Sequence, residues 1–160
     1  MPVIIDGTNG VTFPNSTIQA SAGQVLQVVQ GTTTVSVTSS TTSYADTGLT
    51  ATITPKFATS KILVLISHTN NYKTSGSSGN GLFLNLCRNG SQIIQFASEL
   101  NYTATATGNY FASCFNYQDS PATTSATTYK TQFKNQAAAS NVGVQANGNM
   151  STITLMEIAG

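Results

Sequence analysis

From residue 24 to the end, the chain is a succession of short runs rich in Val, Ile, Leu, Thr and Tyr, separated by stretches of Gly, Pro, Asn and Ser. Such runs read as strands, because branched and aromatic side chains fit a pleated surface while the intervening residues suit turns. They fall at residues 24–30, 33–39, 49–54, 61–67, 82–88, 92–98, 109–118, 127–135, 142–146 and 151–159. The first two are separated by a turn expected at Gly31, and Pro55 closes the third. KILVLIS at 61–67 is the most apolar run, which predicts a central strand covered on both faces. Asn89-Gly90 supplies the two positive-φ positions of a type I′ turn and predicts a hairpin between 82–88 and 92–98. Helical periodicity is nearly absent, and residues 136–139 are too few for more than a turn. The expectation is an all-β fold, an antiparallel two-sheet sandwich over residues 24–160 with jelly-roll-like connections.

Two segments break the rhythm. Residues 70–81 (NNYKTSGSSGNG) predict a long polar loop, mobile unless something holds it. Residues 1–23 are too short and too glycine-rich to build a core. They read as an extended, kinked N-terminal arm whose apolar residues Val3, Ile4, Ile5, Val11, Phe13 and Ile18 are buried against a partner chain.

Composition narrows the function. Only 7% of residues are charged and the net charge is +1, so the high charge typical of disordered chains is missing. Nucleic acid is not an expected partner, because Lys56, Lys61, Lys73, Arg88, Lys130 and Lys134 are scattered rather than clustered. No apolar run reaches the length of a membrane span, and the opening MPVIID lacks the pattern of a secretory leader. A weakly charged surface favours association, which suits a subunit packed in many copies. A closed homotrimer is the assembly expected of such a chain and its arm.

Catalytic groups are few. His68, the one histidine, reads as a surface residue where an apolar strand enters a loop. Asp46 and Asp119 lie in turn-like sequence and read as turn caps, while Asp6 is in the arm and Glu157 near the last strand's end. These acids do not suggest the paired carboxylates of glycoside hydrolysis, so a polysaccharide depolymerase ranks last among the readings. One His and two Cys are too few for a closed zinc site, and no phosphate-cradling glycine motif occurs, so no cofactor or metal is expected. Cys87 and Cys114 both lie in apolar runs and read as small buried, reduced thiols, with a disulfide between them as the alternative that sequence leaves open.

Residues 4–23 read IIDGTNGVTFPNSTIQASAG. This resembles segments of tail-fibre and other virion proteins of tailed bacteriophages, where a DGTxGVTFP(D/N)xTxQ pattern precedes the next module. QVLQVVQGTTT at 24–34, TSYADTGLTATITP at 42–55, SKILVLIS at 60–67, DSPATTSATTYK at 119–130 and STITLMEIAG at 151–160 are similar, in the same order, to small structural proteins of such phages, cyanophages among them. The resemblance implies a virion protein assembled in the bacterial host cytoplasm, with other capsid or tail proteins as partners and no catalytic residues. Within it, a capsid decoration (cement) protein is favoured by shortness and neutral polarity. The similarity of the arm to fibre segments favours a tail-fibre or fibre-tip module, for which a host surface glycan is the expected partner.

Overall fold

A computed structural model describes residues 23–160 throughout. Before them it describes three short strands, β1 (Ile4–Asp6), β2 (Gly10–Thr12) and β3 (Ile18–Gln19), paired antiparallel in that order. The strands that follow are β4 (Val25–Thr33), β5 (Val37–Ser39), β6 (Ala45–Ile53), β7 (Lys61–Lys73), β8 (Leu82–Arg88), β9 (Ser91–Leu100), β10 (Asn109–Asp119), β11 (Thr127–Asn135), β12 (Val142–Val144) and β13 (Ser151–Ile158). A single 3₁₀ turn at Ala146–Gly148 is the one helical element among the described residues.

The long strands nest. β4 pairs with β13, β6 with β11, β7 with β10 and β8 with β9, so first meets last, second meets last but one, and so inward. One sheet is ordered β4-β13-β7-β10 and the other β6-β11-β8-β9, every pair antiparallel. That wrapping is a jelly roll, the connection pattern expected from the strand count and spacing. Short β12 and β5 extend the first sheet beyond the end of β13, where β12 pairs with Tyr72 and Lys73 of β7.

Alternation places the core between the sheets. Leu49, Ala51 and Ile53 of β6, Ile62, Val64 and Ile66 of β7, and Ile153 and Leu155 of β13 are buried, with polar or half-exposed residues between them. Leu86 and Tyr129 complete this cluster, and Leu82, Leu84, Phe133, Val142 and Val144 form a second one toward the other end. Burying one large apolar side chain contributes on the order of 1.5–3 kcal/mol, so these clusters hold the two sheets together.

Gly31 is not a turn. β4 runs through it, and a Cβ there would lie 1.9 Å from the carbonyl oxygen of Thr50. Glycine lets β4 and β6, edge strands of opposite sheets, come together and close that side of the sandwich. The Asn89-Gly90 hairpin forms as expected, with φ of 49° and 86° at its two central residues. The polar segment after β7 is shorter than expected, because β7 continues to Lys73. What remains is held in place: Thr74 N–H donates to Asn141 O (2.9 Å), Asn80 Nδ2 to Thr74 O (3.3 Å), and Gly81 N–H to Asn135 Oδ1 (3.2 Å).

Candidate functional site

The residues that carry chemistry are dispersed. His68 is a correction: it lies fully buried within β7, not on the surface, because that strand continues five residues past it. Its Nε2 is 2.9 Å from Thr131 Oγ1 and its Nδ1 3.1 Å from the Gln145 side-chain amide. Burial lowers its pKa to about 4, leaving a neutral ring locked between strands.

Asp119 does not cap a turn. At the end of β10 it accepts hydrogen bonds from Arg88 Nη1 (3.0 and 2.8 Å) and from the Tyr129 hydroxyl (2.7 Å), tying β10 to the opposite sheet. Burial, then the hydrogen bond and charge of that carboxylate, push the Tyr129 phenol above its ordinary range. Asp46 is likewise in a strand and not in a turn, bound by Lys130 Nζ (2.7 Å) and Gln132 Nε2 (2.8 Å). Burial raises its pKa, but those two hydrogen bonds and the ammonium charge outweigh it and hold the carboxyl below its usual value. Glu157 accepts from the Lys56 N–H (2.7 Å) and secures the turn before β7. Among the described residues, no three or more His, Cys, Asp or Glu side chains are grouped to hold a metal. Cys87 and Cys114 are unpaired; Cys87 is buried, whereas Cys114 is exposed on the outer face of β10 and so departs from the expectation of burial.

The arm was expected to carry a partner-binding site. Val3 and Phe13, and the side chains of Ile4, Ile5, Val11 and Ile18, lie outside the described residues.

What the structure does bring together is a contrast between two outer faces. On the β6-β11-β8-β9 sheet the outward side chains are engaged with one another. Tyr44 Oη donates to Gln95 (2.8 Å), Asn85 Nδ2 to Gln92 (2.9 Å), Lys130 and Gln132 to Asp46, and Lys134 Nζ lies 5.0 Å from the ring centroids of both Tyr44 and Phe83. A shallow groove beside Gly48, at the β6–β11 bulge, is bordered by the Asp46–Lys130 pair.

Among the described residues, the outer face of the β4-β13-β7-β10 sheet has no cover. Its register sets Val28, Met156, Leu63 and Gln118 in one row, Gln30, Thr154, Leu65 and Asn116 in the next, then Thr32, Thr152, Ser67 and Cys114. None of these positions is charged. Val28 is 56% and Leu65 37% exposed. This corrects the expectation for KILVLIS: β7 is central in its sheet, but among the described residues only its Ile62, Val64 and Ile66 side is covered. The sequence signal for the open face is the apolar run itself, whose Leu65 stays exposed and Leu63 half-exposed in the described chain.

No protein-family model and no curated protein matches this chain. Among solved structures it is similar to the protein of the 2.6 Å structure of infectious bursal virus derived T=1 particles, at 15% identity and a TM-score of 0.41. The match covers 98% of this chain and 44% of that one, so the chain spans less than half the length of this neighbour.

Proposed function

We propose that the chain is a non-enzymatic structural subunit of a tailed-phage particle, a capsid decoration protein that assembles in several copies. The observation that carries this reading is the outer face of the β4-β13-β7-β10 sheet, uncovered among the described residues and uncharged across its three central rows. Its apolar positions Val28, Leu63, Leu65 and Met156 are neighbours in two adjacent rows, with Val28 and Leu65 exposed and Leu63 and Met156 half-buried. Contiguous exposed apolar surface of this kind marks an interaction site. The sequence resemblance to phage structural proteins supplies the particle context. The engagement of Asp46, Asp119 and Glu157 in hydrogen bonds between strands and the burial of neutral His68 are in keeping with a structural role. A closed trimer is the assembly this reading takes. The second reading, a tail-fibre or fibre-tip module touching the host surface, is favoured by the arm sequence.

Counting copies per purified particle separates the two: hundreds mean decoration, a few dozen or fewer mean a fibre. Deletion of residues 1–23 is expected to leave a folded sandwich by thermal melting, since the core lies in β6 to β13. The truncated protein should no longer co-sediment with particles that lack the native protein. Undiminished attachment would refute an anchoring role for the arm.

A further inference from the structure

The sandwich has one closed side and one open side. At the closed side β4 and β6 meet at Gly31, and Lys56 Nζ and Gln27 Nε2 bridge to the carbonyls of Leu26 (3.3 Å) and Thr54 (2.7 Å). At the open side lie β9 and β10, edge strands of opposite sheets that share no ladder. They are joined there by a stack of Phe96 on Phe115, 4.8 Å between ring centroids. The inward side chains Phe111, Phe115 and Tyr117 of β10 are half-exposed as a result.

Neither edge is paired among the described residues, and the two differ in how they are built. Between its pairs with β8, β9 takes an extra residue at each of three places (Leu82/Leu84, Leu84/Asn85 and Leu86/Cys87 on the β8 side), so its edge is bulged. Bulges of this kind are a usual guard against edge-to-edge pairing. β10 has no such guard. At its one irregularity the extra residue belongs to β7, where Thr69 and Asn70 lie between the partners of Phe111 and Ser113. β10 itself runs straight for eleven residues, with no proline and no charge before Asp119, and Asp119 is neutralised by Arg88.

We infer that β10 is a pairing edge for a second copy of this chain, joined β10 to β10 antiparallel across a two-fold axis, so that the sheets of the two copies become one. The inference rests on the assembly role proposed above and names the surface that serves it. A row of unpaired backbone N–H and C=O groups is self-complementary in the antiparallel sense. In a two-fold contact each residue near the axis meets its own copy or a near neighbour, which an uncharged strand tolerates and a charged one does not. Full overlap of the strand puts the axis at Cys114. Ala112 then faces Asn116 of the other copy, and the two Cys114 side chains face each other within disulfide reach.

Sedimentation of the full chain tests this. β10 pairing gives the mass of a dimer, or of a hexamer where the trimer also closes. A monomer or a trimer alone overturns it, whereas a dimer alone supports it and removes the trimer. Ala112, Cys114 and Asn116 are exposed on the outer face, so changing them leaves the core intact. The double variant Ala112→Lys with Asn116→Lys sets like charges opposite each other twice and should abolish the two-fold contact. Ala112→Lys with Asn116→Glu sets opposite charges there and should retain it. Mild oxidation should cross-link pairs of wild-type chains, and of Cys87→Ser chains, but not Cys114→Ser chains. Equal association of the two double variants, or no Cys114 cross-link, would overturn the pairing.

Discussion

His68 shows how much a single side chain can depend on neighbours far away in sequence. Its Nδ1–H donates to the Gln145 oxygen, and the Gln145 amide nitrogen in turn donates to the carbonyls of Thr47 (3.3 Å) and Val35 (3.2 Å). Its Nε2 accepts from the Thr131 hydroxyl, which is 2.6 Å from that of Thr47. The ring is therefore neutral, and a second proton would put a charge among buried groups and turn Nε2 into a donor facing Thr131. With a folded pKa of about 4 against 6.5 in the unfolded chain, the unfolded state binds more protons as pH falls between those values. Stability is full above about pH 6.5 and declines as the pH falls to about 4, by about 3 kcal/mol in all. Urea unfolding at pH 7 and pH 4.5 should show this loss, and His68→Gln should reduce the slope. Identical wild-type midpoints at the two pH values would contradict it.

At the scale of elements, the segment between β7 and β8 makes the sharpest prediction. Asn135, fully buried at the end of β11, accepts from Gly81 N–H and donates to Asn80 Oδ1 (2.9 Å) and Ser140 O (2.5 Å). One amide thus holds two connections. Asn135→Ala should release residues 74–81 to limited proteolysis, where the wild type resists, and should cost about 1–3 kcal/mol through the groups left unpaired. Equal cleavage rates would show that the segment is held by other bonds. The sequence made some of these elements plain and hid others. The β8–β9 hairpin was legible because Asn89-Gly90 decides its own turn locally. Gly31 was not, because its reason is the Thr50 carbonyl of another strand. His68 and residues 70–73 looked like loop because they are polar, yet they continue β7: their partners on β10, β11 and β12 come from distant sequence. The bare outer face was missed for a related reason. An apolar run reports that both faces of a strand want cover, not that one chain provides it.

For the whole molecule, a net charge of +1 with only 7% charged residues means that long-range electrostatics contribute little. Self-association should therefore rest on backbone pairing and apolar contact, and sedimentation at low and at high salt should give the same mass. Dissociation on adding salt would point to an ion-pair interface. The nesting of the strands has a consequence for synthesis. β13, the last strand, sits between β4 and β7 and is the only ladder partner β4 has among the described strands. The inner hairpin of β8 and β9 closes over a short loop, whereas β4 must wait for residues more than a hundred positions away. Contacts of such separation slow folding. A ribosome-bound chain therefore cannot complete its first sheet until β13 has left the exit tunnel, long after β4 has emerged.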